Sequence, residues 1–487
     1  MLGSIISILS VILTVVSVII AYKTYQLAQD VQKNFTGHDA DIKTFTRTFE
    51  YLGKNRGDFM DDVLNSFYRI NDPVPAQSLP DYMQSLHLGH HLIHKDQWVD
   101  CKKSDGSFYL LKDIPVRHNG KYQGPKDDGN AIYPDGATFS FNVKKYTAKH
   151  LQNNPAWAMD RFIPADQDHP APVLEALEGE YFYFYDTCES LAFEVAHYLS
   201  ETINQDGGQK KNRRKSNKEK DREEEKRQKI YDGLPGRAEV CQELFSCKKR
   251  FPAIGVCAVT ILQNVCVKEG GSTEHKSFFL LHKRTGQIAE SIGMNGVIPS
   301  GSYQSIGVAA KNLGDTWAPL SQTTYREFLE EILGYPEYQD MRAAKLLEHT
   351  EIEKHIPRVY FLGAGYEPVS TKTEVLAAMM IDMQNEGEAA WLEENLTARS
   401  KQKNTDKAAQ IQKYYAETQK QDVFLEKSIE LCRNEEGDVR LIELTGDNLE
   451  HYEKAAASVP AMKEILRIVN SSEANRAFFG VKTNEGH

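Results

Sequence analysis

An α+β fold is what the sequence predicts: an α/β/α sandwich around a mixed sheet, preceded by helical segments and a smaller α+β region. Three stretches carry that expectation. Ala253 to Leu262 and Ser277 to Arg284 are apolar runs rich in β-branched or aromatic residues, with Gly270-Gly271 marking a turn between them. A glycine turn, Gly301-Ser302-Tyr303-Gln304, precedes an acidic helix around Tyr325 to Leu333 that Gly334-Tyr335-Pro336 brings to a stop. Beyond it, Arg358 to Leu362 and Val375 to Asp382 read as strands around a Gly363-Ala364-Gly365 turn. A long charged helical stretch follows from Glu386 to Cys432, then a strand from Val439 to Leu444 and helices near Asn448 to Ala457 and Ala461 to Val469.

The acidic helix holds the most specific chemistry. In a regular α-helix Glu327, Glu330 and Glu331, at i, i+3 and i+4, share one face. Three carboxylates on one face can hold a hard cation such as Mg²⁺. A plain solvated surface braced by local ion pairs is the competing account of any such face.

Arg326-Glu327-Phe328-Leu329-Glu330-Glu331, following two strands and the Gly296 to Gly301 loop, resembles the Nudix box. That loop-helix motif belongs to enzymes that split a nucleoside diphosphate linked to another group. The interval between Gly301 and Arg326 is longer than in that box, Gly307 stands where its first glutamate would be, and the closing glycine falls one place late. The wording Val297-Ile298-Pro299-Ser300-Gly301-Ser302-Tyr303-Gln304 is similar to Nudix domains of bacterial cyclic-oligonucleotide (CBASS) anti-phage systems, where a membrane-anchored form serves as effector.

The resemblance implies Glu327, Glu330 and Glu331 as ligands of Mg²⁺ or Mn²⁺, with Glu330, Glu331 and Arg326 as the catalytic set and Arg326 orienting the glutamates. Lys283, Arg284 and Gly301 would lie against a nucleotide or nucleoside-diphosphate ligand, although Lys283 and Arg284 also read as a hydrated strand end. Glu374, before a strand, is the one available guess for a base. Two functions follow. In one the domain is a pyrophosphohydrolase; in the other it senses a nucleotide signal without cutting it and oligomerises at the membrane.

A chain of 487 residues has room for two or three domains. Leu2 to Ala21 carries no charge and is long enough to cross a bilayer, which takes about 20 apolar residues. The stretch lacks the basic start and the small-x-small cleavage site of a signal peptide, and a core helix would rarely lack every charge for so long. A single-pass anchor is therefore expected. Lys23 and Lys33, both following it, place the C-terminal bulk in the cytoplasm.

The expected organisation is an anchor at 1–22, a helical stalk at 23–72, an α+β region at 73–206, a charged linker or insertion at 207–232, the Nudix-like domain at 233–470 and a tail at 471–487. In the stalk, Ile42, Phe45, Phe49 and Leu52 share one side, and self-association beside the membrane is compatible with that pattern. Strands are expected near Phe108 to Ile114, Ala137 to Val143 and Glu180 to Tyr185, and a helix capped by Asp186 that buries Leu191, Val195 and Leu199. The linker sequence from Gln209 to Lys229 has no apolar residue and cannot be buried.

With 58 basic and 69 acidic side chains, a net charge of −11 argues against general binding of duplex nucleic acid. The cysteines number seven and lack C-x-x-C spacing, which suits reduced thiols in a cytosolic domain. His87, His90, His91 and His94 have helical spacing but no acidic residue in an H-E-x-x-H arrangement, and Gly89 breaks the helix that a metal site would need.

Overall fold

The computed structural model describes residues 42–53, 56, 91–95, 97–126, 137–147, 151, 153–205, 244–269, 272–283, 294–303, 319–335, 349–433, 438–455 and 457–482. The expected anchor, the linker, Arg284, Gly307, His87 and His90 lie outside these residues. Among the described residues no helix is long and apolar enough to cross a membrane.

Along the chain come β1 (Tyr109–Leu110), β2 (Val116–Lys121), helix α1 (Phe139–Tyr146), β3 (Pro155–Ile163) and β4 (Val173–Glu180). Helix α2 (Tyr181–Phe184) runs through a π-turn (Tyr185–Glu189) into α3 (Ser190–Gln205). Then follow β5 (Ile254–Glu269), β6 (Ser272–Lys283), β7 (Asn295–Val297) and β8 (Ser300–Ser302). Helix α4 (Leu320–Glu327) passes into a second π-turn (Phe328–Ile332), followed by α5 (His349–His355), β9 (Val359–Tyr366) and β10 (Thr373–Asp382). The rest is α6 (Glu386–Lys403), α7 (Thr405–Thr418), α8 (Gln421–Cys432), β11 (Val439–Glu443), α9 (Gly446–Lys454), α10 (Pro460–Asn470) and α11 (Glu473–Phe479).

The sheet is mixed, as expected. Its order is β1-β9-β10-β5-β6-β11, with β7 attached to β6 and β8 to β5. β10 runs parallel to β5, whereas β5 and β6 form the antiparallel hairpin. β5 is long because two strands share it: residues 255–257 pair with β8 and residues 261–269 with β6. β10 is buried along nearly its whole length, which is why it reads as a continuous apolar run instead of an alternating one.

A second sheet, β2-β4-β3, touches the first through a bridge between Ala158 and Ala253. One apolar cluster runs from Phe45 and Phe139 through Phe251 and Val256 to Ile465. The 91–110 stretch also joins the larger sheet, since β1 pairs with β9.

Several local expectations are corrected. Ala137 to Val143 is not a strand: Thr138 caps α1 by accepting from the Phe141 N–H, and Phe139 and Val143, one turn apart, are fully buried. Tyr181 to Tyr185 is helical as well, with β4 ending at Glu180. Its rings touch at helical spacing, Tyr181 with Phe184 at 5.5 Å and with Tyr185 at 5.6 Å. Five consecutive aromatics carry no period, so tertiary packing decides between strand and helix.

Asp186 is not a cap; it lies inside the π-turn. Gly363-Ala364-Gly365 is not a turn but a bulged part of β9, where Ala364 N–H donates to Trp98 O and Cys101 N–H to Leu362 O. The 386–432 stretch divides into three helices: the Asn404 side chain caps α7, and Gln419 takes φ +57° at its end. Of the four histidines, His91 and His94 are described and neither is helical.

Candidate functional site

The site forms where the acidic helix meets the short strand β8. Tyr325, Phe328, Leu329, Ile332 and Leu333 are all buried, and Tyr325 Oη donates to Ile356 O at 2.8 Å. Burial pushes the Tyr325 phenol up, so it stays a neutral donor. The helix stops at Gly334 with φ +66°. There a Cβ would lie 1.7 Å from Cys432 O, so no other residue fits. Arg399 on α6 donates to Leu333 O and Gly334 O, placing a cation where the helix exposes its carbonyls.

This anchoring leaves the other side of the helix facing β8. Gly301 is the hydrogen-bonded partner of Val256 on β5, since the flanking bonds run from Ala258 N–H to Pro299 O and from Tyr303 N–H to Ile254 O. By the antiparallel alternation, Ser300 and Ser302 turn their own N–H and C=O away from β5. The helix answers both: Ser300 N–H donates to Glu331 Oε2 at 2.8 Å, and Arg326 Nη2 donates to Ser302 O at 3.0 Å. Side chains of the helix thus satisfy backbone groups on this edge of β8.

Arg326 also pairs with Glu327 Oε1. That carboxylate lies directly over Gly301, where a Cβ would be 2.0 Å from Glu327 Oε1. Arg326 and Glu327 remain only 12% and 14% exposed, and Glu330 and Glu331 are half-buried. The helix is not regular here. Phe328–Ile332 form a π-turn with i→i+5 bonding, and contact with β8 brings both Glu327 and Glu331 to the same strand.

The structure therefore gathers Gly301, Arg326, Glu327 and Glu331, with Glu330 in the same turn. Lys283 is elsewhere: it is exposed, pairs with Asn295 on β7, and its N–H donates to Asp438 O. Glu374 is adjacent in the sheet but on the other face. Gly255 lies opposite both Ser302 and Glu374, and a Cβ on Gly255 would meet Glu374 Oε2 at 2.8 Å. Gly301, one residue out of phase with Ser302, faces Glu327 instead. On its own face Glu374 accepts from Cys257 Sγ at 3.1 Å and lies 3.6 Å from Lys372 Nζ.

Hard oxygen donors suit Mg²⁺ or Mn²⁺, and a magnesium ion is commonly held by one or two carboxylates plus the phosphates of its ligand. Glu327 and Glu331 meet that requirement. A complete protein cage is not formed: among the described residues no group of three or more His, Cys, Asp or Glu side chains is placed to hold a metal ion.

Sequence reasoning missed Ser300 and Ser302, which participate through their backbones and leave no side-chain signature. Ser300-Gly301-Ser302, with the small residue at its centre, was the available signal of a close approach. No protein-family model and no curated protein matches this chain.

Proposed function

We propose that this chain is a membrane-anchored, Nudix-like protein that binds a nucleoside diphosphate-linked ligand through a divalent cation at the β8–α4 junction. What carries the reading is that Glu327 and Glu331 approach the same three-residue strand, with Arg326 between helix and strand and a glycine beneath the carboxylate. The bound Mg²⁺ or Mn²⁺ would neutralise diphosphate charge and lower the pKa of an attacking water.

The chain's own contributions are positional. Arg326, fixed to the Ser302 carbonyl, orients Glu327; the Ser300 N–H fixes Glu331; Gly301 leaves room for a carboxylate or a phosphate oxygen at the strand. The single-pass anchor expected at 1–22 would hold the domain at the cytoplasmic surface of a membrane.

A second reading, a sensor that binds a nucleotide signal without hydrolysing it and oligomerises at the membrane, is favoured by one observation. Glu374, the residue expected to act as base, is on the face of the sheet opposite to Glu327. The test is a screen of ADP-ribose, dinucleoside polyphosphates, nucleotide sugars and cyclic oligonucleotides for both binding and turnover, with Mg²⁺ or Mn²⁺. Metal-dependent turnover lost in Glu331→Gln supports the hydrolase; tight binding without product supports the sensor; neither binding nor turnover of any compound overturns both.

A further inference from the structure

Helix α1 buries Phe139, Ser140, Asn142 and Val143 and leaves Phe141 at 48% exposure, a large apolar ring open to solvent. Lys144 and Lys145, at i+3 and i+4 from Phe141, share its exposed face. Lys145 Nζ lies 5.5 Å from the Phe141 ring and 5.0 Å from the Tyr146 ring. The helix packs against residues 42–53 through Phe45, whose ring is 6.1 Å from Phe139 and 6.3 Å from Tyr146. On the outer side of that segment Lys43 and Arg47, one turn apart, are exposed, with Glu50 a turn further on.

An exposed aromatic ring with two lysines on its helix face, on a helix packed against a segment that carries two more exposed cations, is out of character for a chain of net charge −11. Local positive charge attracts an anionic surface even when the whole molecule is acidic, because charges beyond about 8 Å are screened at physiological salt. We propose that the outer faces of α1 and residues 42–53 dock on a lipid bilayer containing anionic headgroups. Lys43, Arg47, Lys144 and Lys145 meet phosphate and carboxylate groups there, and Phe141 enters the interface.

The aromatic ring selects a bilayer over a nucleic acid duplex, whose phosphate backbone offers it no apolar environment. Long lysine side chains can run alongside an inserted ring while their ammonium groups stay in water. Covalent continuity points the same way, since residues 42–53 follow the uncharged Leu2–Ala21 stretch. The patch is thus a second membrane contact, distinct from the anchor, that sets how the domain lies on the surface.

The full chain is mixed with phosphatidylcholine vesicles, with and without phosphatidylserine, and hydrogen exchange is followed in residues 139–147. Exchange is expected to slow only on the phosphatidylserine vesicles, and the protection to weaken on the order of fivefold per cation removed. Lys144→Glu with Lys145→Glu, and separately Lys43→Glu with Arg47→Glu, should abolish it, with Phe141→Ser intermediate. Having two separate pairs guards against a folding defect in one.

Equal exchange on both vesicles overturns the proposal, as does protection by duplex RNA without lipid. Sedimentation with vesicles of either kind reads the anchor independently: a chain that fails to sediment with phosphatidylcholine vesicles has lost the anchored reading, while protection on phosphatidylserine still tests the patch.

Discussion

Two π-turns in this molecule, Tyr185–Glu189 and Phe328–Ile332, each carry a pair of acidic residues, and the chain treats the two pairs in opposite ways. In the first every residue is buried. Asp186 accepts from Ser140 N–H and Oγ at 2.5 and 2.9 Å, and Glu189 pairs with Arg56 at 2.5 Å. Arg56 extends this link to Glu367, whose Oε2 also takes Ser370 Oγ. In the second the apolar residues are buried while Glu330 and Glu331 stay half-exposed, Glu331 against the edge of β8.

The difference lies in what can be exchanged. A carboxylate deep in the core must keep its partner, because an unpaired buried charge costs several kcal/mol. One at the boundary can trade a backbone N–H for a ligand and lose little. The same helical irregularity, which often marks functional positions, therefore stiffens the core in one place and opens a candidate site in the other.

The largest effect should come from breaking the buried turn. Glu189→Ala removes the closer of the two carboxylates paired with Arg56, and we expect about 3 kcal/mol lost in urea unfolding; a loss under about 1 kcal/mol would erase the contrast. Gly334→Ala, which puts a Cβ against Cys432 O at a left-handed backbone position, should cost at least about 1–3 kcal/mol, read as a fall in Tm.

At the exposed turn, stability and binding should separate. Glu331→Gln keeps an acceptor for Ser300 N–H, so stability should change by less than about 1 kcal/mol, while divalent-dependent nucleotide binding, followed by calorimetry, falls. Gly301→Ala must displace the Glu327 carboxylate, a flexible group. We expect binding to weaken about tenfold, equivalent to roughly 1.4 kcal/mol, with Tm nearly unchanged. Were both variants to unfold like Glu189→Ala, the second turn would be structural too.

The smallest effect is a control on the core around the first turn. Burial pushes the Cys247 thiol up to about 12 and holds Cys188, inside that turn, above its ordinary range. Between the unfolded value near 9 and the folded value the unfolded chain binds fewer protons, so stability falls as pH rises through that window. Native protein at pH 8 should react with a thiol reagent at neither cysteine, and urea midpoints should decline from pH 9 upward.

The hairpin of β5 and β6, strand β10 and the late helices were legible because each is a long run with one period, or a continuous apolar stretch bounded by glycine. β2, β3 and β4 were not read from the sequence, and two segments expected to be strands, around Ala137 and Tyr181, are helical. Their residues suit either state, and neighbours distant in sequence made the choice: Asp186 for the Ser140 end of α1, Phe251 and Lys372 around the Tyr181 helix.

At the candidate site, the residue types were written in the chain from Arg326 to Glu331, and so was the glycine facing them. Sequence alone determined which hard-oxygen groups exist and that they lie within one turn or so of each other. Only tertiary structure decided which of them meet. Packing on β8 brings Glu327 over Gly301, Glu331 to the Ser300 N–H and Arg326 to the Ser302 carbonyl, and strand alternation sends Glu374 through to the far face. Local spacing fixes the order of groups along a helix, but the direction each one points depends on packing against strands contributed by other parts of the chain.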